Sequence, residues 1–308
     1  MSGGSRSGPD GQGARSGAHR DLNFTRPSIA RVYDYVLGGR DHFEIDRRAA
    51  HSFLNVVPEA GQLAKDNRHF IRRSVRFMVG EARIRQIIDI GSGLPTAGNV
   101  HQVAHAIDPS VRVVYVDNDP MVLAHARAML DEDDQTTVIT ADLRAPETIF
   151  DDPETHKLID TDQPFGVLIA GILHHLSDED DPTGVAAEVK ERLTPGSYLA
   201  ISNFLGDDPR ARDLERGFID GLGSGRFRTW DENRSYFEGL EMVPPGLVYA
   251  NRWRPDEDTP KDHPVEALYL GGVGRKTRPS ARRSSTCRSS GVTTRFTTEL
   301  NTSSRSAK

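Results

Sequence analysis

Apolar positions along this chain follow two different rhythms. Between Pro27 and Gly80 they recur at helical spacing: Ile29, Val32, Tyr33, Val36 and Leu37 share one face. The pattern predicts a helix from Ser28 that ends at Gly38-Gly39 and a second from about Glu44 to Val57, stopped by Pro58. A third runs from near Glu59 to about Gly80, with Leu63, Phe70, Ile71, Phe77 and Met78 in register. From Arg85 onward, short apolar runs alternate with helical stretches. Strands are predicted at 86–90, 111–117, 136–141, 165–171 and 197–203, and helices at 96–107, 120–130 and 182–193. A loop and short helix reach about 160. Helical patterns at 209–222 and 231–239 and strands near 246–250 and 266–272 complete the series.

This rhythm predicts an α/β fold, a doubly wound, mostly parallel, seven-stranded Rossmann-like sheet. The helices before it are too short as a group to hold their own core, so they are expected to cap the carboxyl ends of the strands. The expected organisation is an unstructured segment 1–20, a helical cap 21–84, a sheet domain 85–276 and an unstructured basic tail 277–308.

Composition narrows the classes. No apolar run approaches the ~18 residues of a membrane span, and the Gly/Ser/Arg-rich start lacks the apolar middle of a signal peptide. The single cysteine, Cys287, allows no internal disulfide, which makes the cytoplasm the expected compartment. Net charge is −6, but residues from Arg275 on carry +8, leaving −14 on the body. An acidic body argues against nucleic acid as a partner, since phosphate contacts need a basic surface.

The chemistry concentrates at predicted strand ends. Residues 86–118 read strand, glycine turn, helix, strand, acid, the arrangement that holds a nucleoside-bearing cofactor. Gly91 and Gly93 form the turn, but the third glycine of a dinucleotide fingerprint is replaced by Thr96. An ordinary βα turn explains the glycine pair alone equally well. Asp117 ends the second strand, where a carboxylate accepts hydrogen bonds from ribose hydroxyls. Asp142 follows the third, placed for an adenine amino group with Leu143 against the ring, or simply as a helix cap. After the fourth strand stand His174 and His175, which cannot share one helix face. No metal site is expected there; at least one histidine is expected to be structural, donating to backbone, and the other either faces the cofactor or is a candidate base.

These segments resemble a class I S-adenosylmethionine-dependent methyltransferase, in IDIGSG, VVYVDND, ADLR and LIAGILHHL followed by LTPGSYLAIS. The resemblance is closer still to one bacterial family of S-adenosyl methyltransferases. It takes in PSIARVYDYVLGGRDHFEIDR, NRHFIRRSVRFM, PPGLVYANRWRPD and YLGGVGRK, and covers Asp21 to Lys276. It implies S-adenosylmethionine as cofactor, held by Asp89, Gly91, Gly93, Asp117, Asn118, Asp142 and Leu143. In the cap it implies that Tyr33, Gly38, Gly39, Asn67 and Arg68 close over the methionine end. Where amino-methylating nucleic-acid enzymes carry a D/N-P-P-Y/F motif this chain reads GILHHL, so a small-molecule acceptor is expected. A non-catalytic S-adenosylmethionine-binding or sensor module, and an NAD(P)-dependent oxidoreductase, are the alternatives.

Overall fold

In the computed structural model, residues 25–95, 98–130, 134–260 and 263–278 are described. Thr96, segment 1–20 and Cys287 lie outside them. Three helices come first: α1 (Ile29–Val36), α2 (Glu44–Leu54) and α3 (Ala60–Arg76), the last running on into a π-helical turn, Phe77–Glu81. The sheet then builds from β1 (Gln86–Ile90), β2 (Arg112–Asp117), β3 (Thr136–Thr140), β4 (Gly166–Ala170) and β5 (Tyr198–Phe204). Between them lie α4 (Val100–His105), α5 (Pro120–Leu130), α6 (Glu147–Phe150), α7 (Pro153–Leu158) and α8 (Pro182–Arg192). Beyond β5 come α9 (Pro209–Leu222), α10 (Trp230–Ser235), β6 (Glu241–Met242), β7 (Val248–Tyr249) and β8 (Tyr269–Arg275).

The sheet order is β3-β2-β1-β4-β5-β8-β6, with β7 also on β8. Strands β1 to β5 are parallel and β8 is antiparallel to β5. There are seven lateral positions, as expected, but the outermost is shared by two short strands. Strand β6 was not expected: two residues carry no readable period.

Side chains of β1 alternate between two buried layers, as pleating requires. Ile87 packs in the layer holding Phe70 and Val75 of α3, and Ile88 and Ile90 in the layer holding Val185 and Val189 of α8. Both faces are covered, which is why the central strands read as continuous apolar runs. Leu63 and Phe70 fix α3 against the sheet; each is 1% exposed or less, and burial of such a side chain contributes about 1.5–3 kcal/mol.

The expected helix 96–107 is shorter, beginning at Val100. Gly98 has φ +77, and Gln102 Oε1 accepts from the N–H groups of Gly98 and Asn99, closing the helix start there. Helix α10 ends at Ser235, where a turn replaces the predicted continuation to 239.

Two polar ties hold α1 in place. Asp46, fully buried, accepts from the backbone N–H of Ser28 and of Phe43, and from Arg31 Nε at 2.8 Å. The Ser28 hydroxyl donates to Asp119 at the start of α5. A segment that precedes the sheet is thus bonded to the end of β2.

Candidate functional site

The parallel strands end on one edge, and the order reverses between β1 and β4. Crevices form at such a switch point because the flanking connections diverge to opposite faces. Here it opens into a cavity of about 470 Å³ walled by strand ends, α1, α2, α3 and α9. Among the predicted residues, Tyr33, Asn67, Arg68, Asp89, Gly91, Gly93, Asp117, Asn118, Asp142, Leu143, His174 and His175 all line it.

Gly91 and Gly93 adopt φ +72 and +67. A Cβ on Gly91 would fall 2.3 Å from Ile172 Cγ1, so this strand end packs too tightly for a side chain. Gly91 N–H donates to Val116 O, and Gly93 N–H to Asp117 Oδ2 at 2.9 Å. Asp117 Oδ1 accepts from the backbone of Asp119 at 2.9 Å. Each carboxylate oxygen keeps acceptor capacity for a ligand. Burial pushes the Asp117 carboxyl up to about 6, against those two backbone bonds. Asn118 Nδ2 donates to Asp142 Oδ2 at 3.0 Å, and Leu143 is buried beside them.

Asp89, one residue before the end of β1, lies on the cavity floor, 7% exposed, with no hydrogen-bond partner among the described residues. Burial raises its carboxyl to about 7, opposed by the Arg68 guanidinium and reinforced by the Asp117 charge. A buried, unpartnered carboxylate beside an open acceptor at Asp117 suits a ligand that carries positive charge and hydroxyls.

Asn67 of α3 joins the helices to the sheet. Its Oδ1 accepts from Ser202 Oγ at 2.6 Å and its Nδ2 donates to the Tyr33 hydroxyl at 3.1 Å; that hydroxyl donates to Ala64 O. Arg68 Nη2 donates to Gly98 O in the loop after β1.

The structure does not bring Gly38 and Gly39 to this cavity. They line a separate cleft with Asp34, Arg40, Lys65 and Arg72, which meets the main cavity only at Arg68. Gly38 ends α1 at φ +84, the role the sequence predicts. Gly39 leaves room for Asp34: a Cβ there would lie 1.9 Å from its Oδ1.

His174 and His175 occupy a 3-10 turn, Leu173–His175, with ring centroids 4.1 Å apart. Among the described residues neither side chain donates to backbone, contrary to expectation: His174 Nδ1 meets Asn203 Oδ1 at 3.1 Å, and His175 Nδ1 meets Ser224 Oγ at 2.9 Å. Both are held neutral. Burial lowers His175 to about 4 and, with the neighbouring His175, lowers His174 well below the ordinary range. No group of metal ligands occurs among the described residues.

Strand order divides the lining. On the β2–β3 side stand Asp117, Asp119, Asp142 and Arg144; on the β5 side stand Phe53, His174, His175, Phe204, Phe218, Leu222 and Tyr269, with no formal charge among the described residues. Sequence reading missed Phe204, Tyr269 and Asn203. The strand-end logic that picked out Asp117 would have found Asn203-Phe204, which close β5.

A doubly wound sheet with carboxylates at or beside the ends of its central strands defines a Rossmann-like protein that can hold a nucleoside-bearing cofactor at the switch point. The profile of the S-adenosyl methyltransferase family matches residues 15–277, and the chain belongs to that family. Its cofactor is S-adenosylmethionine. The chain is similar to a protein from Thermobifida fusca YX described as a methyltransferase, at 43% identity over 83% of this chain and 97% of that one, TM-score 0.80. It is also similar to a DUF574 family protein from Streptomyces avermitilis MA-4680, at 35% identity over 82% and 98%, TM-score 0.78. No curated protein matches the sequence. No helix among the described residues is long and apolar enough to cross a membrane.

Proposed function

We propose that this methyltransferase acts on a small organic acceptor in the cytoplasm. Cavity size carries the reading. Cofactor and acceptor share about 470 Å³, within the ~300–1,000 Å³ of single small-molecule sites. The acidic body, −14 before Arg275, supports the same choice over nucleic acid.

Bound S-adenosylmethionine supplies a methyl group already activated on a sulfonium. The chain's own residues bind, orient and exclude water. Asp117 accepts from the ribose hydroxyls, and Asn118, Asp142 and Leu143 take the adenine. Asp89 offers a carboxylate to the cationic end, and Gly91 and Gly93 let backbone approach it. Tyr33, Asn67 and Arg68 close over the methionine portion, so that residues 21–84 cap the domain 85–276. Gly38 and Gly39 act at one remove, by shaping the turn beside Arg68.

Calorimetric titration with S-adenosylmethionine, its demethylated product and NAD, followed by labelled-methyl transfer into fractionated extract, tests this. The first two ligands should bind, NAD should not, and label should enter the small-molecule fraction. Label confined to macromolecules overturns the acceptor assignment. Binding with no transfer to any fraction would leave a cofactor-binding module.

A further inference from the structure

Behind the cavity wall, a chain of hydrogen bonds has a direction that can be worked out from its far end. Asn233, 2% exposed, places its Nδ2 at 3.2, 3.0 and 3.0 Å from the carbonyl oxygens of Phe204, Arg228 and Thr229. Carbonyls only accept, so this atom is the amide nitrogen and Oδ1 is the acceptor. Asn203 Nδ2 donates to that Oδ1 at 2.9 Å. The other end of Asn203, Oδ1, faces His174 Nδ1 at 3.1 Å. It too only accepts, so the ring proton sits on Nδ1 and Nε2 keeps a bare lone pair.

His174 is 3% exposed and lines the cavity. Its Nε2 has no hydrogen-bond partner among the described residues, and it is not among the side-chain atoms sealed away without one. His175 differs. Its Nδ1 faces a serine hydroxyl, which donates or accepts equally well, so nothing fixes its tautomer.

We propose that His174 Nε2 is the proton acceptor for the methyl acceptor, that Asn203 and Asn233 are positioning residues fixing its lone pair on the cavity, and that the acceptor is an uncharged aromatic alcohol. The proposal rests on the methyltransferase reading above. A lone pair needs a partner that brings a hydrogen. Among the described residues the β5 side of the cavity offers no charged side chain, so a charged acceptor would be desolvated there without compensation. Its walls are aromatic: the Phe204 ring stands edge-on to His174 at 4.7 Å and to Phe218 at 5.2 Å, the geometry in which a further flat ring packs well. In the transfer the acceptor's O–H bond breaks with its proton passing to Nε2, the oxygen–methyl bond forms, and the pair of the broken carbon–sulfur bond stays on sulfur. The sulfonium charge is lost as the imidazolium charge appears, so the net charge of the cavity is unchanged by the transfer, which offsets the cost of a buried imidazolium.

Long-range 1H–15N correlation on the full chain labelled with 15N-histidine tests the tautomer without any acceptor, His174 being assigned by its absence in His174→Gln. His174 should carry its proton on Nδ1. Asn203→Leu should shift it to the Nε2-protonated form, and Asn203→Asp, which still accepts, should restore Nδ1–H. An Nε2-protonated His174 in the unaltered chain, or no response in folded Asn203→Leu, overturns the assignment. With labelled S-adenosylmethionine and a panel of phenols, their methyl ethers, anilines and benzoates, label should enter phenols. His174→Gln should keep cofactor affinity while transfer falls by about 100-fold or more, the usual weight of a positioned proton acceptor. Cofactor binding with transfer to phenols intact in His174→Gln, or with transfer only to charged acceptors, refutes this proposal and leaves the methyltransferase reading standing. Absence of cofactor binding in the unaltered chain refutes both.

Discussion

Asp89 gives a prediction that separates stability from binding. Its carboxyl sits 7% exposed with no partner among the described residues, and burial raises it to about 7. In the unfolded chain an aspartate titrates near 3.9. Between these two values the native state holds a proton that the unfolded state lacks, so stability falls as pH rises through that window and levels off above it. About three pH units at 1.36 kcal/mol each amount to about 4 kcal/mol of destabilisation above pH 8. At pH 5 only about 1.5 kcal/mol has accrued. Asp89→Asn keeps shape and removes ionisation. Urea denaturation should show the variant more stable than the unaltered chain at both pH values, by about 4 kcal/mol at pH 8 and about 1.5 at pH 5. Its affinity for S-adenosylmethionine should nevertheless fall. A variant no more stable at pH 8, or a gain equal at both pH values, would refute the reasoning.

Cofactor affinity should be flat above about pH 8 and drop about tenfold per pH unit as Asp89 protonates near 7, more steeply once Asp117 follows near 6, read by calorimetry. Asp117→Asn should weaken cofactor binding by about 2 kcal/mol, one charge-assisted hydrogen bond's worth, with near-native far-UV circular dichroism. Arg31→Met strands Asp46, fully buried, without its cation and should cost about 3–5 kcal/mol in urea denaturation. Gly39→Ala drives a methyl group into Asp34 and should cost about 1–3 kcal/mol, while Gly93→Ala, with nothing within 4 Å, should show only the strain of its left-handed backbone.

What could be read beforehand follows from where the physics is local. Strands β1 and β4 were legible because both of their faces are buried and their residues apolar throughout. That Asp117 and Asp142 stand together at strand ends was legible because a strand end plus an acid is a local pattern. The start of α4 was not, since the left-handed Gly98 outweighs the helical propensity of its neighbours. The β5 side of the cavity was hidden for another reason: period-2 alternation does not tell which of Asn203 and Phe204 faces the cavity. The partner that orients Asn203 lies 30 residues further on, and only the folded chain joins them. The tie from Ser28 to Asp119 spans 91 residues and has no signature at either end.

The shared outer position of the sheet bears on how copies of this protein meet. An antiparallel strand as long as β8, left bare along one side, would present a row of free N–H and C=O groups to any extended chain. Here that side is taken up at Met242↔Gly274 by β6 and at Val248↔Gly271 by β7. At the opposite margin β3 is only five residues long and packs against α7. Among the described residues neither border offers a long template for strand addition. The continuous apolar strands that build the cavity floor are therefore kept in the interior of the sheet, where their stickiness serves folding and not aggregation.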